Sequence, residues 1–316
     1  MSTGTEALTG SINKSRTFTA IRRIKRHWEL YLIVLLPVAH VLLFRYVPMY
    51  GIQIAFKDFI ITKGIMGSPW AGLKYFKQLF GAYQFQRIVL NTLGISLLSI
   101  VLGFPVPIIL AIALNEARNA TYKKVVQMVT YAPYFISTVV MVGMLLMILS
   151  SNGIVSQLIQ RFGGEPVNSM SIPESFKFVY VLSGVWQGAG YGAVIYLAAL
   201  SAIDPQLHEA AVIDGANKFQ RIWNIDLPGI MPTAVIVLIL NLGQVMNVGF
   251  EKIFLMQNPL NMRTSDVIST YVYRTGLVGA QYSFATAVGL FNSVVNLILI
   301  IIVNQIAKRV SETSLW

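Results

Sequence analysis

Residues 205–232 read PQLHEAAVIDGANKFQRIWNIDLPGIMP, a polar stretch between two apolar runs. It carries Glu209, Asp214, Lys218, Arg221 and Asp226, and Pro228 and Pro232 close it. Asp204-Pro205 is a helix-start signal, because aspartate suits the cap and proline the first helical position. A two-turn helix is expected over Gln206–Ile213, with Leu207, Ala210 and Ala211 on one face. Gly215 suits a left-handed stop. A second short helix is expected from Asn217 to Ile225, ending before Pro228. Two short helices joined by small residues make a knob. On spacing alone it is either a well-capped loop or a handle that passes a partner's motion into the flanking apolar segments.

Those flanking segments decide the fold class. Of 316 residues, 55% are hydrophobic and 12% charged, and the mean hydropathy is +0.64. Soluble domains carry about 25% charged residues. Apolar runs near 30–49, 88–114, 125–149, 177–202, 232–255 and 284–306 are each long enough, at about 1.5 Å per residue, to cross a hydrocarbon core of about 30 Å. The expectation is an all-α integral membrane protein with six transmembrane helices, one domain over 29–310 after a cytoplasmic tail 1–28. A signal peptide is rejected, since Leu30–Val47 is too long for an h-region and no small-residue cleavage site follows. Pro37 should kink the first helix, and Arg45 should snorkel to headgroups.

Six spans put both termini on one side. With the N-terminus cytoplasmic, inside segments hold about 13 Lys and Arg and outside segments about 11, counting Arg45, Lys177 and Lys252 at the outer edges. The strongest votes are the basic run Arg22, Arg23, Lys25, Arg26 and the short loop Glu116–Lys124. The knob at 205–228 then falls in the cytoplasm. Lys57, Lys63, Lys74 and Lys77 vote the other way, interleaved with Trp70, Leu73, Tyr75, Phe76, Leu79 and Phe80. That segment is either amphipathic and laid on the outer membrane face or a small soluble cap. The loop 150–176 reads as turns with one short helix at most.

Several function classes drop out. There is no cysteine, and His27, His40 and His208 are scattered. No HExxH, paired-carboxylate cluster or nucleophile elbow occurs, so no catalytic or metal-binding residue is named. No Gly-Lys dipeptide occurs, hence no Walker A loop, and an energy source must come from another subunit. The net charge of +11 is read as topology rather than nucleic-acid binding.

Polar residues inside spans usually face a cavity or a neighbouring helix. Asn241, Gln244, Asn247 and Glu251 fall at about 0°, −60°, −120° and −80° on a continuous helix, one stripe about 120° wide. Amides both donate and accept, which suits a hydroxyl-rich neutral solute. Trp186, Gln187 and Tyr191 on the fourth span offer aromatic and amide groups. Gly184, Gly188 and Gly192 leave one face of that span bare, which favours close helix packing. Asn292 and Asn296 on the sixth span, and Asn91 on the second, are weaker candidates.

Glu209-Ala210-Ala211, three residues, Gly215, nine residues, then Ile225-x-Leu227-Pro228 resembles the EAA loop of binding-protein-dependent type I ABC importer permeases. Asp214-Gly215-Ala216 and Pro232 extend the match. PWAGLKYFKQLF at 69–80 with RIVLNTLGI at 87–95, and Pro259-Leu-Asn-Met-Arg-Thr264, look like segments of the family's carbohydrate members. Length and N-terminal tail look most like the oligosaccharide, multi-sugar lipoprotein-linked subgroup. The resemblance covers roughly 30–310. It implies a type I permease whose 205–228 loop is a coupling helix docked in a cytoplasmic ATPase. Glu209 would meet a basic residue there, and Gly215 would permit the bend.

The resemblance further implies a second permease subunit in a heterodimer, two ATPase subunits, an extracytoplasmic solute-binding lipoprotein and a carbohydrate substrate. The chain would be no enzyme and bind no cofactor itself, ATP being used by the partner. It would lie in a bacterial inner or plasma membrane with both termini cytoplasmic. One rival is a self-contained secondary transporter or channel, which predicts paired broken helices or buried acids for ion coupling; neither is read here. The other rivals are a membrane-embedded enzyme and a permease of the same family for a non-sugar solute.

Overall fold

The computed structural model describes residues 26–310. The N-terminal tail 1–25, including Arg22, Arg23 and Lys25 of the basic run, lies outside the described residues. Five helices are long and apolar enough to cross a membrane, and a bent pair makes a sixth if counted as one span. They are Trp28–Phe56, Phe85–Asn115, Pro173–Ser201, Lys218–Leu242 and Tyr282–Lys308, with Ala120–Phe135 plus Thr138–Ile148 as the bent pair. The chain is therefore all-α and membrane-spanning, as its apolar runs required.

The first span begins as an α-helix over Trp28–Val41 that carries Pro37 and buries no residue. A π-helical turn at Leu42–Tyr46 and a 3-10 stretch at Val47–Phe56 continue it. The segment after it folds into a cap whose helix Lys74–Gly81 is itself amphipathic, so it has features of both readings. Lys57 pairs with Trp70 in an antiparallel bridge, and the Phe56 ring stacks on Trp70 at 5.8 Å. Asp58 Oδ1 accepts from Lys74 Nζ at 2.7 Å and from Tyr75 OH at 2.6 Å, bonds that hold its carboxyl below the usual carboxylate range. Ser283 Oγ accepts from the Phe59 N–H at 2.9 Å and donates to Lys57 O at 2.7 Å, fastening the cap to the last span.

Two expected spans are not continuous helices. Over 125–149 the chain bends by 98° between Phe135 and Thr138. Pro133 has no N–H to continue the ladder, so Ala132–Phe135 tightens to 3-10 geometry. Ser137 then caps a new helix by accepting from the Val140 N–H at 3.3 Å. The expected 232–255 helix is displaced as well. Helical turns run from Lys218 through a π-helical turn at Ile222–Asp226 into Leu227–Leu242, where the helix stops. Pro228 follows closely on the π-helical turn, whose wider winding carries the helix past the missing N–H, so the short second helix does not end before it. Residues 243–249 form a turn, and Phe250–Met256 is a separate helix. Asn296 Oδ1 accepts from the Met246 N–H freed by this break, at 3.1 Å.

Buried side chains gather in three clusters. Leu79, Ile88, Met246, Ile268 and Phe284 join the cap to the second and sixth spans. Ile95, Met141, Phe176, Ile253 and Val267 pack below the outer loops. Ala111, Ala193, Tyr196, Ile230 and Ala234 bring three helices together near the knob, and their alanines permit close backbone approach.

The stretch that resembles the family's loop before the last span is a polar lock. Asn261 is fully buried; its Nδ2 donates to Met170 O and Met256 O, and its Oδ1 accepts from Ser265 Oγ. Asn91 Nδ2 donates to Arg263 O and Asp266 O, a structural task rather than a pathway contact. Asp266, also buried, takes Arg274 through two bonds at 3.2 and 2.7 Å. Removing Arg274, whose own side chain is 38% exposed, strands the buried Asp266 charge at about 3–5 kcal/mol. Arg274→Met is expected to lower the melting temperature of the purified protein by at least about 6 °C. Asp266→Leu combined with Arg274→Met should recover most of that loss, and equal losses in single and double variants would refute the pairing.

Candidate functional site

The knob assembles from local sequence rules. Asp204 Oδ1 accepts from the Gln206 N–H at 3.0 Å and starts the helix Pro205–Ile213. At its end the Gly215 N–H bonds Val212 O at 3.1 Å and the Ala216 N–H bonds Ala211 O at 2.8 Å, a Schellman stop. Gly215 has φ +79°, the left-handed conformation this stop needs. Asn217 and Gln220 form a capping box that opens the next helix, their backbone N–H and side-chain oxygen pairs at 2.7 and 3.0 Å.

No residue of Pro205–Ile213 is buried. Glu209, Ala210 and Asp214 are exposed, Ala211, Ala216 and Leu227 half-buried, and Pro228 exposed. The same knob carries bare apolar side chains: Ile213 is 85% exposed, Phe219 83% and Trp223 73%. One ion pair and one histidine–aspartate contact brace the knob from behind. Lys218 Nζ lies 3.2 Å from Glu116 Oε2 in the loop between the second and third spans. His208 Nε2 lies 3.4 Å from the buried Asp226 Oδ1 at the base of the fifth span. Sequence spacing did not suggest either pair: Lys218 and Glu116 lie in segments about a hundred residues apart, and His208 and Asp226 lie on different helices of the knob.

The second candidate region lies where the fifth span breaks. Asn241, Gln244 and Asn247 are all exposed and line one cavity of about 270 Å³ with Ser96, Ser99 and Tyr180. They meet because the chain turns, not because a helical stripe continues; Glu251 is outside this cavity, on the separate helix Phe250–Met256. Asn247 and Asn292 also border a larger, mainly apolar cavity of about 1000 Å³, and Asn292 Nδ2 donates to Asn247 Oδ1 at 2.9 Å. A third cavity of about 350 Å³ adjoins the first through Ser99, Gly103 and Tyr180; Gly184, Gln187, Gly188 and Lys252 border it.

The fourth-span candidates separate. Gln187 Nε2 donates to Ile136 O at 2.9 Å, a carbonyl at the third-span bend. Tyr191 stacks on Tyr134 with ring centroids 4.0 Å apart. Trp186 is half-exposed and borders none of these three cavities. The glycine stripe packs only in part as expected. A Cβ at Gly188 would meet nothing within 4 Å, whereas one at Gly190 would fall 2.0 Å from Thr130 O. The closest approach is at Gly190, off the stripe; on the stripe, a Cβ at Gly192 would stand 3.3 Å from Pro107, while Gly184 and Gly188 open onto a cavity.

Known proteins share this arrangement. Residues 103–312 match the family described as binding-protein-dependent transport system inner membrane component. The chain is 43% identical over 288 residues to the polygalacturonan/rhamnogalacturonan transport system permease protein YteP of Bacillus subtilis, covering 91% of this chain and 90% of that one. It is 40% identical over 294 residues to Protein LplB of the same organism, covering 93% and 92%. A solved chain from a bacterial alginate ABC transporter in complex with an alginate pentasaccharide-bound periplasmic protein superposes with TM-score 0.85. That chain is 41% identical, over 93% of this chain and 99% of its own length.

Proposed function

The chain belongs to the binding-protein-dependent transport system inner membrane component family, and from that premise we propose how this carbohydrate importer permease is driven. It is a transport subunit of an ATP-binding-cassette importer, not an enzyme, and no observation favours a self-contained transporter or channel. Its relatives' names carry polygalacturonan, rhamnogalacturonan and alginate, and its own solute is a carbohydrate oligomer. We assign the knob 205–228 as the coupling element, seated in a cytoplasmic ATPase subunit, with Glu209 facing a basic group there. Ala210, Ala211, Asp214, Gly215, Ala216, Leu227 and Pro228 shape it.

The observation that carries this reading is the uncovered helix Pro205–Ile213 together with bare Ile213, Phe219 and Trp223. Unburied apolar side chains of this size on one knob mark a protein contact. The helix is braced to the second–third loop by Lys218–Glu116 and to the fifth span by His208–Asp226, so a push on it reaches two parts of the membrane domain. Both termini then lie in the cytoplasm of a bacterial cell. A second permease subunit completes the pathway, and a solute-binding protein delivers the sugar outside. Asn241, Gln244, Asn247 and Asn292 line the passage, their amides matched to sugar hydroxyls; Gln187 and Tyr191 are already engaged by the third-span bend.

The chain has no cysteine, so one introduced at Ile213 is unique in it. In the assembled transporter, Ile213→Cys is expected to cross-link to the ATPase subunit through a short thiol-reactive bridge. Free labelling of that thiol by a bulky polar maleimide, with the ATPase bound, would overturn the assignment.

A further inference from the structure

Lys252 has a place in the pathway that topology does not explain. It sits on Phe250–Met256, next to the exposed Glu251, yet makes no ion pair with it. Its side chain turns inward against the fourth span. Nζ donates to Tyr180 O at 2.8 Å and lies 4.5 Å from the centroid of the Tyr180 ring. It borders the 350 Å³ chamber beside Ser99, Gln187 and Gly188. A Cβ at Gly184 would stand 3.3 Å from this ammonium, so glycine there leaves it room.

An ammonium carries three donors. One carbonyl and one ring face answer only part of that demand, and an unpaired charge away from bulk water is costly. Among the described residues no carboxylate lies within ion-pair distance of Lys252. Lys177 repeats the pattern farther out on the same face of the fourth span, at three- and four-residue spacing from Tyr180 and Val181. Its Nζ would stand 3.1 Å from a Cβ at Gly94, and it too has no carboxylate partner. Lys252 borders the chamber and Lys177 lies one helical turn from Tyr180, so two cations without counter-ions focus a positive field where the dielectric is low. A passing anion would supply the missing partner, while the amides of Asn241 and Gln244 in the adjoining chamber take hydroxyls.

Resting on the carbohydrate-import reading, we propose that the solute is a carboxylated sugar oligomer and that Lys252 binds its carboxylates during passage, with Lys177 as an outer contact. The test uses membrane vesicles holding the whole transporter with its solute-binding protein. The probes are tetramers of galacturonate and of mannuronate, as free acids and as full methyl esters. Wild type is expected to import a free acid in preference to its ester. Lys252→Met should cut acid uptake about tenfold or more, the loss of one charge-assisted hydrogen bond to the solute. Ester uptake should stay within about twofold, and Lys252→Arg should keep most acid uptake. Lys177→Gln should give a smaller loss, again for the acid alone, and serves if Lys252→Met lowers the amount of assembled transporter.

Equal loss of acid and ester in Lys252→Met would make the lysine a strut to Tyr180 and overturn the proposal. Preference of the wild type for the ester would overturn it too, while leaving the importer reading intact. ATP-dependent import of neither form by wild type would count instead against the carbohydrate reading beneath it.

Discussion

Gly190→Val is expected to leave little or no assembled permease in the membrane, the largest structural effect of any single substitution considered. A Cβ at this position would fall 2.0 Å from Thr130 O, 2.4 Å from Thr130 C and 3.0 Å from Tyr131 N. Ordinary overpacking costs about 1–3 kcal/mol because side chains can rotate away. Here the obstacle is the backbone of another helix, so the two helices must separate. They meet where the third span breaks. Gln187 holds the Ile136 carbonyl, Tyr191 stacks on Tyr134, and Gly190 lets the fourth span reach Thr130 between them. Residues 187, 190 and 191 share one helix face, which forms a clamp on the bend. Gly188→Ala is the control: nothing lies within 4 Å of its Cβ, and alanine improves the helix by up to about 1 kcal/mol. Yield and thermal stability of the purified protein check both. Equal yields of Gly190→Val and wild type would refute the clamp.

The apolar runs and the caps were legible in the sequence because their causes are local. A run of hydrophobic residues needs no partner to declare a span, and Asp204, Gly215 and Asn217 act on backbone groups within a few residues. The breaks were not legible for the opposite reason. Pro133 alone permits a kink or a stop, and it is Gln187, 51 residues away, that satisfies the freed carbonyl. The turn after Leu242 depends likewise on Asn296, 50 residues on, accepting from Met246. Periodicity across 241–251 assumed an unbroken helix, whereas a turn brings Asn241, Gln244 and Asn247 to one cavity and leaves Glu251 outside it. Lys252 looked like a charge at a span's outer edge, since nothing in its neighbours signals Tyr180 across the passage. The four-residue glycine rhythm drew attention to Gly188, whereas contact at Gly190 answers to no rhythm.

Glu209→Lys is expected to leave a folded, membrane-inserted permease whose transport falls at least about a hundredfold, since a like-charge meeting at an interface costs several kcal/mol. Glu209 is exposed and makes no ion pair within the described chain, so its reversal leaves the fold intact and is felt only by a partner. Gly215 tests the same element by a different route. A Cβ there meets nothing within 4 Å, but φ is +79°. Substitution is thus penalised through the backbone alone, by about 1–2 kcal/mol for an ordinary residue and more for a β-branched one. Asparagine tolerates this conformation. Transport should therefore fall in the order Gly215→Asn, Gly215→Ala, Gly215→Val, the last unseating the Schellman stop that aims the helix. A steric clash with the partner would rank asparagine and valine together. Solute-stimulated ATP hydrolysis separates the outcomes further: both Glu209→Lys and Gly215→Val should lose stimulation by the loaded binding protein while the ATPase keeps its basal rate. Wild-type transport in Glu209→Lys would remove the coupling assignment. The contacts behind the knob say why loss is expected, since Lys218–Glu116 and His208–Asp226 pass on a displacement only if the helix in front of them is held.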